Sequence, residues 1–174
     1  MDVWNEPGAV LRHCLKCGAA ALRLIGSKKL HCDHCGFEFY LNPAAALAAL
    51  IPDVEGRLLI VGRAQEPRKG TWDLPGGFAD PGESAEESLR REVREELGLE
   101  ITHWRSLCSF PTRYAYLGVV YAPLDLGFVC DVEDAGTARV AEAEVARLLR
   151  IRPEEIDLSR FGFRSVARIV ERYQ

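Results

Sequence analysis

The stretch "RREVREELGL", residues 90–99, decides how this chain is read. It crowds three arginines and three glutamates into ten positions and closes on Gly-Leu. Ser84 followed by Glu87 makes a capping box, so a helix is expected over 84–97, and Gly98 stands where a left-handed cap ends one. At about 100° per residue, Leu89, Val93 and Leu97 form the stripe that faces a core. Glu92, Glu95 and Glu96 share a neighbouring arc with the small Ala85 and Ser88, while Glu87, Arg90 and Arg94 are expected to face solvent.

An ordinary solvated face explains part of this pattern. Glu86–Arg90 and Glu87–Arg91 have the favourable i,i+4 order. It does not explain the glutamates, because Glu92–Glu96 and Glu92–Glu95 are like-charge pairs costing roughly a few tenths of a kcal/mol each. A hard divalent cation turns that repulsion into attraction, since Mg²⁺ and its relatives prefer carboxylate oxygens.

The preceding loop, "LPGGFADPGE" (74–83), carries three glycines and two prolines, and glycine lets backbone approach a ligand closely. Gly77 followed after five residues by Glu83, and after seven more by "REVREELGL", fills every specified position of the Nudix box: Gly77, Glu83, Arg91, Glu92, Val93, Glu95, Glu96, Gly98 and Leu99. Over about residues 40–174 the chain therefore resembles a Nudix hydrolase. The resemblance implies an α+β fold, an α/β/α sandwich around a mixed sheet. It also implies Mg²⁺- or Mn²⁺-dependent hydrolysis of a nucleoside diphosphate linked to another moiety. Glu92, Glu95 and Glu96 would be the metal ligands with the Gly77 carbonyl assisting, Arg91 would orient the carboxylates, and Glu83 would stand behind them. Glu95 and Glu96 are candidates for the general base. Some relatives use a glutamate on a later loop instead, where Glu142 and Glu144 in "RVAEAEVARLL" compete with the reading of that stretch as a charged helix face. Phe110, Tyr114, Tyr116 and Tyr121 are candidates to stack on a base, against the plainer reading as core residues. Arg113 or Arg63 would meet a phosphate, and Trp72 is expected to pack under the loop.

The first forty residues have a different character. Cys14/Cys17 and Cys32/Cys35 are two CxxC knuckles separated by fourteen residues, in which "ALRLIGSKKLH" reads as two short strands about a turn. That is the spacing of a four-thiolate Zn²⁺ site, and Gly18 and Gly36 let each knuckle aim N–H groups at sulfur. So small a segment would draw its stability from the metal. His13, His31 and His34 flank a ligand set the cysteines already complete. A zinc ribbon (1–39) ahead of a Nudix domain (40–174) is similar to NADH pyrophosphatase-like members, although "SLCSFPTRYAY" keeps little of their downstream block beyond Phe110-Pro111. An NADH-type dinucleotide or ADP-ribose is the implied substrate. The alternative is a non-catalytic nucleotide sensor whose ribbon docks a nucleic acid or protein.

Elsewhere "AAALAALI", "RLLIVGRA", "WRSLCSF" and "VVYAPLDLGFVCDV" read as strands, and "RFGFRSVARIVERY" as a final helix packing on a sheet. Cys108 and Cys130 lie in apolar, strand-like surroundings and are expected as small buried hydrophobes. A net charge of −4 with no basic block argues against nonspecific nucleic-acid or membrane adhesion, but not against a phosphorylated substrate. The most apolar stretch, "PAAALAALIP", is too short to span a bilayer. "MDVWNEPGAVLRH" has no signal-peptide pattern, so a cytoplasmic protein is expected, its ribbon structural and buttressing a homodimer.

Overall fold

A computed structural model of the chain describes residues 7–141 and 143–174, so Glu142, one of the base candidates, lies outside the described residues. In chain order the elements are α1 (Pro7–Val10), β1 (Leu22–Ile25), β2 (Lys29–Cys32), β3 (Glu38–Tyr40), β4 (Ala45–Leu50), β5 (Leu58–Arg63), β6 (Trp72–Asp73), α2 (Ala85–Leu97), β7 (Ile101–Pro111), β8 (Tyr114–Tyr116), β9 (Val119–Tyr121), β10 (Leu124–Val132), β11 (Val145–Ile151) and α3 (Arg164–Tyr173). They form two compact units. Ala44–Thr112 with Pro123–Gln174 makes the larger, and residues up to Pro43 with Arg113–Ala122 make the smaller. Among the described residues no helix is long and apolar enough to cross a membrane.

In the larger unit β10 pairs parallel with β4 and antiparallel with β7, and β5 pairs antiparallel with both β11 and β6. The unbroken apolar runs of β4 and β5 follow from burial on both faces. Leu47, Ala49, Leu59 and Val61 pack in one core with Leu89, Val93 and Leu97 of α2. Ala48, Leu50, Leu58 and Ile60 pack in another with Val166, Ile169 and Val170 of α3. Alternate side chains of the same strands thus serve two helical layers, which is the α/β/α sandwich. Cys130 is fully buried in the first core, and Trp72, 6% exposed, is buried in the second.

The helix forms as its caps require. Ser84 accepts from the Glu87 N–H, Glu87 accepts from the Ser84 N–H, and Gly98 closes the helix at φ 65°. Four sequence-based expectations need correction. Arg90 does not face solvent: its guanidinium lies 4.3 Å over the Trp104 ring and its Nε is buried. The pairs Glu86–Arg90 and Glu87–Arg91 do not form, because Glu87 is spent on the cap and Arg91 turns toward Glu83. "RVAEAEVARLL" is not a helix face: from Val145 on it forms β11, which pairs antiparallel with β5. Finally, "VVYAPLDLGFVCDV" is two strands broken at Pro123, where the missing N–H interrupts a ladder.

In the smaller unit β1, β2 and β3 form an antiparallel sheet. Its core is small: Cys14, Leu22, Leu30 and Cys32 are its buried residues, with Leu11, Ala21, Phe37 and Leu41 packed around them. Gly18 and Gly36 hold φ of 73° and 71°, and the Lys16 N–H donates to Cys14 Sγ at 3.4 Å. β8 and β9 pair as a hairpin that turns through Leu117 and Gly118, both at positive φ.

Candidate active site

α2 carries the acidic strip, and its three glutamates meet different surroundings. Glu96 is 9% exposed, with Oε2 accepting the Gly76 N–H at 2.9 Å, its one hydrogen bond among the described residues. Burial pushes its pKa up to about 8, with the neighbouring Asp73, Glu92 and Glu144 adding to the rise against the Gly76 hydrogen bond. Glu92 is half-buried and is raised by burial in the same way, while Arg91 opposes the rise. Glu95 is exposed.

Arg91 is the hub of the strip. Its Nη1 donates to Glu92 Oε1 at 2.9 Å and to Glu95 Oε2 at 3.2 Å, its Nε to Glu83 at 3.2 Å, and its Nη2 to the Phe78 carbonyl at 3.3 Å. Glu83 also accepts from Ser88 Oγ at 2.6 Å, and this bond, with Arg91, holds its pKa below the usual carboxylate range. The guanidinium therefore takes one oxygen each of Glu92 and Glu95, leaves their second oxygens uncommitted among the described residues, and leaves Glu96 alone.

The glycine loop closes on this strip because it lacks side chains. A Cβ on Gly77 would stand 2.5 Å from the Glu92 carboxyl carbon, and one on Gly76 would stand 2.0 Å from the Leu47 carbonyl oxygen. The Gly77 carbonyl accepts the Leu47 N–H at 2.8 Å, which pins the loop to β4 and still leaves a second lone pair on that oxygen.

A cleft of about 220 Å³ opens here, lined by Glu92, Glu96, Glu144, Arg63, Asp73 and Gln65 among others. Glu144 reaches it because Arg139 and Ala141, just ahead of it, are stitched to the end of α2. Arg139 N–H donates to the Leu97 carbonyl and Ala141 N–H to the Glu96 carbonyl, each at 2.9 Å, satisfying two carbonyls that a helix end leaves open. Asp73 is a buried carboxylate that accepts Arg63 Nη1 at 2.7 Å and the Leu74 N–H at 3.0 Å; burial drives its pKa up against that pairing. Arg63 is anchored a second time through Nε to the Pro67 carbonyl at 2.9 Å. Asp73 and Gln65 escaped the sequence reading. The signal for Asp73 was available in "TWDLPGG", an acid three residues ahead of the first glycine of the loop that closes on α2.

The aromatic candidates do not line this cleft. Phe110 packs in the α3 core with Arg168 3.9 Å over its ring. Arg113, Tyr114 and Tyr121 belong to the smaller unit, where the Tyr114 and Tyr116 rings stand 6.2 Å apart.

The two candidate ligand sets are brought together to different degrees. The four sulfurs of Cys14, Cys17, Cys32 and Cys35 all lie within 4.8 Å of one another, the one such cluster of three or more ligating side chains among the described residues. On α2, a buried carboxylate with a single hydrogen bond, a second beside it and a third across the cleft form an oxygen-rich, anionic pocket with the chemistry of a hard divalent cation site.

The Nudix domain profile matches residues 42–172, and the chain belongs to the Nudix family. Two relatives have names that state an activity. The NAD-capped RNA hydrolase NudC of Pseudomonas fluorescens is 33% identical over 90 residues, covering 52% of this chain and 32% of that protein. The ADP-ribose pyrophosphatase of Methanocaldococcus jannaschii is 38% identical over 91 residues, covering 49% and 53%. The chain thus spans about a third to a half of the length of those relatives. A crystal structure of a Nudix hydrolase from Nitrosomonas europaea shares the fold at TM-score 0.66 and 23% identity, over 94% of this chain and 90% of that one.

Proposed function

We propose that this protein is a metal-dependent hydrolase that cleaves the diphosphate of a nucleoside diphosphate linked to another moiety, an NADH-type dinucleotide or ADP-ribose. The observation that carries the proposal is Glu96, a buried carboxylate with one hydrogen bond, facing a cleft that Glu92 and Glu144 also line. The sensor alternative gains no support from the two relatives, both of which are named for an enzymatic activity.

Glu92, Glu95 and Glu96, with the Gly77 carbonyl, would hold Mg²⁺ or Mn²⁺. When bound, such an ion screens the diphosphate, polarises its P–O bonds and acidifies water. Arg91 fixes the rotamers of Glu92 and Glu95, and Glu83, itself held by Ser88, fixes Arg91. Arg63, aimed by Asp73 and Pro67, supplies the positive charge that meets a phosphate oxygen. Glu144 stands across the cleft to accept the proton of the attacking water. The new O–P bond forms at one phosphorus as the bridging P–O bond breaks and the second phosphate leaves with the electron pair.

The four cysteines would hold Zn²⁺ in a structural role, which suits a reducing, cytoplasmic setting. The test is a panel of NADH, ADP-ribose and a dinucleoside polyphosphate with Mg²⁺ or Mn²⁺. Release of a nucleoside monophosphate from at least one is expected, and release from none sinks the proposal.

A further inference from the structure

The six cysteines fall into two groups. Cys108 and Cys130 belong to the larger unit, and burial pushes both thiols up, Cys130 to about 12, so they stay protonated and inert. The other four divide again by exposure. Cys14 and Cys32, the first residue of each knuckle, are buried, while Cys17 and Cys35, the last of each, are exposed. A sulfur that holds Zn²⁺ is a thiolate, and a thiolate at the surface is the form that oxidants attack. The ribbon therefore presents two reactive sulfurs to solvent and keeps two in reserve.

The reserve sulfurs lie where they can close a bond. Cys17 Sγ stands 3.8 Å from Cys32 Sγ, and Cys35 Sγ stands 3.7 Å from Cys14 Sγ. Both contacts join an exposed sulfur to a buried one, and both cross from one knuckle to the other. Bonds there would link residues 15 and 21 positions apart, and each closed loop would contain β1 and β2. A cross-link over a long loop restricts the unfolded chain more than one over a short loop, so these bonds would take over the restraint the ion supplies. Bonds within a knuckle would close only a single turn and leave the two knuckles untied.

We propose that the four-cysteine cluster is a peroxide-responsive modification site, in which a bound ion is exchanged for two disulfides across the knuckles, Cys17–Cys32 and Cys14–Cys35. The proposal rests on the four-thiolate Zn²⁺ reading and adds a reaction to it. The Cys17 thiolate attacks hydrogen peroxide: an S–O bond forms, the O–O bond breaks, and the departing hydroxide takes a proton from solvent and leaves as water. The Cys32 thiolate then attacks the sulfenic sulfur of Cys17. The S–S bond forms as the S–O bond breaks, and the second oxygen also leaves as water. Two thiolates lose two electrons, one peroxide becomes two waters, and two protons are consumed. Cys35 and Cys14 repeat the sequence with a second peroxide. Loss of the thiolates releases the ion, and a cellular thiol reverses the reaction, in keeping with the transient disulfides of reducing compartments.

The test uses the full chain, reconstituted with Zn²⁺ under a reductant that is then removed. Hydrogen peroxide is added stepwise while a chromogenic chelator reads released Zn²⁺, and peptide mass spectrometry after alkylation reads which sulfurs are bridged. Release of the ion in step with Cys17–Cys32 and Cys14–Cys35 bridges is expected, with Cys108 and Cys130 still free thiols. Hydrogen exchange over β1–β3 should be at least about tenfold slower in the oxidised protein than in reduced protein stripped of metal, the protection long-loop disulfides confer. Dithiothreitol with Zn²⁺ should restore the starting state. Retention of the ion under excess peroxide, bridges within the knuckles, or oxidation to sulfinic acid instead of disulfide overturns the proposal. A reduced chain that takes up no Zn²⁺ before any peroxide is added sinks the four-thiolate reading, and the proposal with it.

Discussion

The four-cysteine cluster and the carboxylate strip are both candidate ligand sets of a single residue type, but the chain prepares them in opposite ways. In the smaller unit, backbone turns at Gly18 and Gly36 bring four sulfurs within 4.8 Å of one another around a core with four buried residues, two of which are ligands. There the cysteine cluster is much of the core. On α2 the glutamates ride on a helix already fixed by two caps and by Leu89, Val93 and Leu97, and Arg91 organises Glu92 and Glu95 while the Gly76 N–H holds Glu96. There the fold exists first and the site is laid on its surface. A domain with a large core can carry repelling carboxylates at little risk, whereas a segment with so small a core would draw its stability from a bound ion.

The largest effect should come from breaking the first site. Cys32→Ser should unfold the smaller unit, with hydrogen exchange rising to solvent rates over β1–β3 while β5 and α2 stay protected. A loss of protection in both regions would mean that the larger unit depends on the ribbon. Next, Glu96→Gln should cost at least about a hundredfold in kcat, as loss of metal ligands or their orienters does. It should leave the melting temperature of the metal-free protein at pH 7 close to unchanged, because burial already holds Glu96 in its neutral form there and Gln resembles that form. A large drop in melting temperature would show that Glu96 serves the fold instead. Truncating the core face should matter less to chemistry and more to stability: Leu97→Ala is expected to lose about 2–5 kcal/mol in denaturant unfolding. Ser84→Ala, which removes one half of the capping box, should lose only about 1 kcal/mol.

These expectations also mark what the sequence could and could not convey. Helix α2, its caps and its apolar face were legible because each depends on residues three or four apart. The four-cysteine cluster was legible because ligand spacing is local. Three things were hidden by long-range placement. Glu144 faces Glu96 only because residues 139–141 donate to the end of α2, a contact that no periodicity records. Arg90 lies over Trp104, a β7 residue fourteen positions on whose approach no helical periodicity records. Residues 119–122 read as the start of one long strand, yet they pair with Tyr114–Tyr116 in a hairpin that belongs to the smaller unit.

The central claim is that the α2 carboxylates exist to hold a divalent ion beside a diphosphate, and Arg91 makes it testable, since a guanidinium among three glutamates is also what a purely structural ion-pair network would show. Glu96 sharpens the test through its proton. Its pKa in the fold, about 8, lies above the ordinary glutamate value of 4.5, so the metal-free protein should lose stability as pH rises from 4.5 toward 8 and then level off. An arriving cation should expel that proton at pH 7. The most direct measurement is anomalous diffraction at the manganese edge from crystals soaked in Mn²⁺. The account predicts a peak among Glu92, Glu95 and Glu96, with Arg91 still bound to Glu83. Featureless density there at saturating Mn²⁺, with the glutamate oxygens held only by Arg91 and Gly76, would contradict it.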